Sequence, residues 1–173
     1  MGTKTIRVGL STAGINRALK ELKAYKQEVI RKTNLLRERI SELLAEYARS
    51  GYAGAVVDDL VKGGQRFAQV EVTMDTKGNV TIIMANGEDA VWAEFGSGVY
   101  ANGGAGGSPH PMGSELGFLI GGYGKGYGKR EVWGFYEDGE LRLTHGAPAS
   151  MPMYNAVRAV CDRIPEIARE VWG

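Results

Sequence analysis

The side chains that could do chemistry in this chain are few, and their spacing is the first test of what they do. Ser97 and Ser108 carry hydroxyls that could attack a carbonyl, but neither lies in the Gly-x-Ser-x-Gly turn that exposes such a nucleophile. Cys161 is the single cysteine, so no internal disulfide can form, and its position predicts a buried structural thiol on the apolar side of a last helix. His110 and His145 are too scattered to join Cys161 in a metal site, and each predicts a loop histidine making an ordinary hydrogen bond. The pairs Asp58-Asp59 and Glu88-Asp89 predict turn acids rather than an acid and base couple. These patterns predict no catalytic residue, no metal and no cofactor.

A phosphate cradle is the next chemistry to test, because 13 of the 26 glycines fall between Gly96 and Gly128. A phosphate loop needs Gly, four residues, then Gly-Lys-Ser/Thr. Counting back from Gly124-Lys125 gives Leu119 and from Gly128-Lys129 gives Tyr123, and neither lysine precedes Ser or Thr. Contact with nucleic acid has two candidate patches: Lys20, Lys23, Lys26, Arg31 and Lys32, and a second group of Lys125, Lys129 and Arg130 beside Tyr123 and Tyr127. Both are modest, which predicts weak or non-specific contact.

The elements that position these residues follow from periodicity. Ile6, Val8 and Leu10 alternate, as in a short strand or an arm that orders on a partner. Ser11 or Thr12 can cap a helix, and Ile15, Ala18, Leu22, Tyr25, Val29, Thr33, Leu36, Ile40, Leu43 and Tyr47 recur in steps of three and four. The pattern predicts one long helix over 12–50, too long for a domain of this size to cover alone. A short helix fits 56–61. Alternation at Ala68, Val70, Val72 and Met74, the turn Lys77-Gly78-Asn79 and the run 80–85 predict a β-hairpin. A third strand is expected at 91–95, and a second hairpin at 132–136 and 141–144 around Glu137-Asp138-Gly139-Glu140. Ser150 can cap a last helix, with Pro152 in its first turn and Pro165 expected to bend or break it. The result is a single α+β domain over 1–173. Its long N-terminal helix and its C-terminal helix pack on a mostly antiparallel sheet of about five strands, interrupted by a glycine-rich excursion over 96–130.

Charge supports contacts between copies or with a charged partner. The formal net charge of +1 hides eleven Lys and Arg against five Asp and Glu in residues 1–50, and ten against fifteen in 51–173. No apolar run is long enough for a membrane span, so no membrane is expected among the partners.

Two short motifs carry a resemblance. Trp92-Ala93-Glu94-Phe95-Gly96-Ser97-Gly98 resembles the YA-x-x-[VI]-E-[FY]-G-T segment of small neck proteins from long-tailed bacteriophages, the tail-completion or head–tail joining family of minor tail proteins. In that family a long N-terminal helix leads to a β-hairpin, the E-F-G segment, a variable loop and a Pro-Met or Pro-aromatic motif that opens a C-terminal helix. Thr144 to Tyr154, with Pro148, Pro152 and Met153, is similar to that last motif. Ser97 replaces the usual threonine, Tyr154 follows Pro-Met, and the glycine excursion is longer than in most members.

The resemblance implies a structural virion protein, assembled in the host cytoplasm, with no turnover. Copies would form a ring, sixfold in this family, between the capsid connector or head-completion protein and the tail-tube or tail-terminator protein, with DNA passing through it. Trp92, Glu94, Phe95, Gly96, Pro148, Pro152 and Met153 would then hold core and register. Gly103, Gly106, Tyr123, Lys125, Tyr127, Lys129 and Arg130 would reach a neighbouring copy or the next ring. Two alternatives remain open at this point: a tail-tube terminator or head-closure ring, and a small DNA-binding regulator using the basic N-terminal helix.

Overall fold

The computed structural model describes residues 5–98, 108–117 and 132–173. Helix α1 spans Thr12–Ala53, 42 residues and therefore about 63 Å. Ser11 is its N-cap, with extended backbone and a hydroxyl that accepts the Gly14 N–H at 3.1 Å. Residues 5–10 form no strand, and Val8 and Leu10 are exposed. At the far end, Gly54 caps α1 and the chain enters β1 (Val56–Leu60). This segment is a strand, not the short helix expected at 56–61. The stretch is too short for a stable helix, its valines favour extended backbone, and β1 pairs with both β2 (Gly64–Phe67) and β7 (Glu140–Thr144).

The first hairpin forms as expected around Gly78, whose φ of +59° suits glycine. Its strands are β3 (Glu71–Lys77) and β4 (Val80–Asn86), in register from Glu71↔Asn86 to Lys77↔Val80. Ala68 lies before the ladder and donates its N–H to the Ala55 carbonyl. The third expected strand, 91–95, is instead the helix α2 (Asp89–Phe95). Its alternating Val91, Ala93 and Phe95 mimic a strand, but Asp89, Ala90, Ala93 and Glu94 are the buried positions, related by steps of three and four. Gly87 at φ +132° and Gly96 at φ +75° bracket it.

Beyond α2, β5 (Ser97–Gly98) pairs with β8 (Gly146–Ala147), and β6 (Trp133–Glu137) pairs with β7 as the second expected hairpin. The fold is α+β, with antiparallel strands in three small sheets: β2-β1-β7-β6, β3-β4 and β5-β8.

Helix α3 spans Pro152–Trp172 and runs antiparallel to α1. A Cβ at Gly51 would stand 2.9 Å from Pro152 at one end, and the Lys32 Nζ reaches the Trp172 carbonyl at 3.4 Å at the other. Arg39 meets Glu170 at 2.9 Å between them. Pro165 does not end α3. It lies on the exposed side, where solvent can satisfy the carbonyl left without a helical donor. Cys161 is exposed, contrary to the buried thiol expected. The arc of α3 that is buried is Ala156, Val160, Ile167 and Val171, whereas Val157 and Ile164, on the side Cys161 shares, remain partly open.

The core is built from small residues. Ala45, Ala48 and Tyr52 of α1 pack with Ala55, Val57, Val72, Ala90, Ala93 and Ala156, and Leu44, Val70, Ile83, Trp92 and Met153 border them. Alanine at these positions lets backbones approach closely, and the buried residues of α1 all lie in its C-terminal third.

Candidate functional site: a joint around Glu94

Glu94 lies in the last turn of α2 and is 7% exposed. Its Oε2 accepts the Met153 N–H and its Oε1 the Tyr154 N–H, both at 2.9 Å. These are orphan donors of the first turn of α3, so a carboxylate from another helix does the work of an N-cap and sits where the helix dipole favours negative charge. Ser150, the expected cap, makes no side-chain cap bond; the N-cap position is Met151, in left-handed conformation at φ 51°, ψ 49°. The carbonyl of Ala93 holds this strained corner by accepting the N–H groups of Ser150 at 2.9 Å and Met151 at 3.2 Å.

Two further groups converge on the same carboxylate. The Tyr52 hydroxyl, from α1, donates to Oε2 at 3.4 Å, and burial, with the Glu94 charge and hydrogen bond adding to it, pushes the phenol well above its ordinary value. His110 Nε2 lies 3.2 Å from Oε1, while His110 Nδ1 accepts the Met112 N–H at 3.1 Å. With Nδ1 an acceptor, the proton belongs on Nε2 and the ring donates to Glu94. The His110 ring also packs between Phe95, with centroids 4.5 Å apart, and the edge of Tyr154 at 5.3 Å. Ser108 ties the same loop down by donating its hydroxyl to the Phe95 carbonyl and accepting the His110 N–H.

The structure therefore brings together the residues of the two motifs. Glu94 contacts the turn that Met153 opens, Phe95 stacks on His110, and Trp92 and Met153 border the core. Gly96 has no room for a side chain, since a Cβ would meet the Ala149 nitrogen at 2.9 Å and the Ala147 carbonyl at 3.0 Å. Pro152 is buried at the crossing of α3 with α1, and Pro148 is half-buried in the segment leading to it. The expected interface residues Gly103, Gly106, Tyr123, Lys125, Tyr127, Lys129 and Arg130 lie outside the described residues.

Sequence reasoning missed the roles of His110, Ser108 and Tyr52. His110 is a loop residue with hydrogen bonds, as expected, but it is buried and anchors residues 108–117 to Glu94. Nothing local announces this, because its partner is 16 residues away.

The acids Asp58 and Asp89 are also not the isolated turn acids expected. Arg66 joins them, with its Nε and Nη2 on Asp58 at 3.1 and 3.0 Å and its Nη1 on Asp89 at 3.0 Å. Asp89 accepts the Gln69 N–H, and Asp58 accepts the Thr144 hydroxyl, which tie β1, β3's approach, α2 and β7 into one network. Burial disfavours the Arg66 charge, yet the hydrogen bonds and charges of the two acids outweigh it and raise the guanidinium above its ordinary value.

In both clusters the polar atoms join separate elements of the fold. Both ring nitrogens of His110 are engaged, and the Glu94 oxygens are shared among four donors. Among the described residues no group of three His, Cys, Asp or Glu could hold a metal ion, and no helix is long and apolar enough to cross a membrane. The open groove of about 360 Å³ between α1 and α3 is lined by Tyr47, Ser50, Gly51, Ser150, Pro152, Asn155, Ala156 and Ala159, without a charged side chain. Compared with protein-family models, curated proteins and solved structures, the chain matches none.

Proposed function

We propose that this protein is a structural component of a tailed-bacteriophage neck, a tail-completion or head–tail joining protein that assembles as a ring around the DNA path and performs no turnover. The observation that supports this reading best is the Glu94 joint. The E-F-G and Pro-Met motifs, some 60 residues apart in the chain, meet there through paired 2.9 Å hydrogen bonds. Residues that resemble a family's signature are thus the ones that set the angle between α2, α3 and α1. A signature serving architecture suits a protein whose work is to hold a shape.

In this reading the ring, sixfold by the resemblance, sits between connector and tail tube, and DNA slides through with weak, non-specific contact. Electron microscopy of the particle that carries this chain tests it. Ring density of this chain between capsid connector and tail is the expected result, and the chain's absence from that layer overturns the reading. Placement in the tail-terminator or head-closure layer selects the neighbouring alternative. Tight, salt-sensitive DNA binding by a small oligomer of the purified protein selects the regulator instead.

A further inference from the structure

The N-terminal part of α1 carries a stripe of exposed apolar side chains. Helix α3 reaches only as far as Lys32, so residues 12–30 project beyond it. Ile15, Leu19, Leu22 and Ile30 there are 43–54% exposed. By helical spacing, Lys26 lies inside this apolar stripe, four residues from Leu22, and Lys23 lies on its edge, four from Leu19. The acids of the segment, Glu21 and Glu28, fall on the opposite side. The stripe therefore calls for a surface that is apolar and acidic. Two stripes placed face to face would bring lysine against lysine.

The β3–β4 hairpin offers such a surface on one face. Val80, Ile82 and Met84 of β4 point away from α1 and are 43–59% exposed, while the alternate residues Ile83 and Ala85 pack on the core. In register beside them on the same outer face are Glu71, Thr73, Asp75 and Lys77 of β3, with Asp75 opposite Ile82 and Lys77 opposite Val80, so the acids outnumber the single base there. Asp75 also meets Lys77 at 3.0 Å, an exposed pair of little strength. The dimensions match, since residues 15–30 span about 24 Å of helix and the seven residues of β4 about 23 Å of strand. The other exposed hairpin face, with Tyr136, Leu141 and Leu143, fits less well. Its acids Glu137 and Glu140 lie on the opposite side, where Arg142 already engages both.

We propose that the Ile15–Ile30 stripe of one copy docks across the outer face of the β3–β4 hairpin of a second copy, with Lys23 and Lys26 directed to Glu71 and Asp75. The two surfaces differ, so the contact is head-to-tail and propagates around a ring or along a filament rather than stopping at a dimer. It deepens the ring reading above and rests on it for closure of the ring.

Site-directed cross-linking of the full chain tests this, in a Cys161→Ser background and at high protein concentration with copper–phenanthroline as oxidant. Leu22→Cys and Ile82→Cys lie at exposed positions, where the fold tolerates substitution. Mixing the two single variants should give a disulfide dimer, and the double variant a ladder of higher species. Lys23→Glu with Lys26→Glu should cut the mixed dimer about ten-fold, and adding Glu71→Lys with Asp75→Lys to the partner should restore it. Efficient dimerisation of Leu22→Cys alone, no mixed product, or no charge rescue overturns the proposal. So does retention on DNA that is lost in the lysine variants, since the bases would then serve phosphate. Rings seen in the particle without the cross-link remove this contact and leave the neck reading intact. The cross-link without rings in the particle removes the neck reading and leaves the contact.

Discussion

At the scale of the residue, Glu94 has the most to lose. Its two oxygens each serve an N–H of the first turn of α3, so Glu94→Gln replaces one acceptor by an amide that points a hydrogen at another hydrogen. The expected destabilisation is about 2 kcal/mol, read as a lower denaturant midpoint, with the fold retained in circular dichroism. Unchanged stability would show that the cap is supplied elsewhere. Tyr52 gives a pH-dependent counterpart. Its phenol is raised above 10.0 in the fold, so the neutral form contributes stability that is complete below the unfolded value and lost as pH rises beyond it. Tyr52→Phe should lose less stability than the parent between neutral pH and the alkaline side of pH 10, measured by urea midpoints at both. An equal loss in both proteins assigns the alkaline effect to other groups.

At the scale of the element, Gly96 decides whether α2 can hand the chain on to β5. With φ at +75° and the Ala149 nitrogen 2.9 Å from a would-be Cβ, Gly96→Ala should cost about 2–3 kcal/mol and lower the melting temperature clearly. A variant with parental stability would mean the β5–β8 pairing can shift to make room. Elements with long periods were legible in the sequence: α1, α3 and both hairpins stand where spacing put them. Two short elements exchanged identity, because five to seven residues offer too few repeats to separate a period of two from one of three and a half. Val56–Leu60 became a strand by pairing with residues far along the chain, and Asp89–Phe95 became a helix because Ala90 and Ala93 meet the core. The joint itself was half legible. Its motif residues were singled out, but Tyr52 and His110 reach Glu94 from 42 and 16 residues away, and no local pattern encodes such a meeting.

At the scale of the whole molecule, residues 108–117, within the glycine-rich excursion expected over 96–130, are anchored through Ser108 and His110. A deletion spanning that stretch would also disturb the joint. Substitution is the cleaner test of the proposed assembly residues: changing Tyr123, Lys125, Tyr127, Lys129 and Arg130 to serine should leave a folded monomer by circular dichroism and abolish ring assembly. Assembly at the parental level would remove their assigned role.

The alanine-built core has a thermodynamic consequence. Small side chains bring backbones together while removing little hydrocarbon from water, and Ala45, Ala48, Ala55, Ala90, Ala93 and Ala156 supply much of what is buried. Unfolding the isolated chain should therefore show a heat-capacity increment and a urea slope below the averages for 173 residues, with a broad melt. Association that covers Leu19, Leu22, Val80 and Ile82 adds the missing apolar area, so the transition should steepen when copies assemble. Calorimetry of monomer and assembly would read that difference as cooperativity the single chain does not carry.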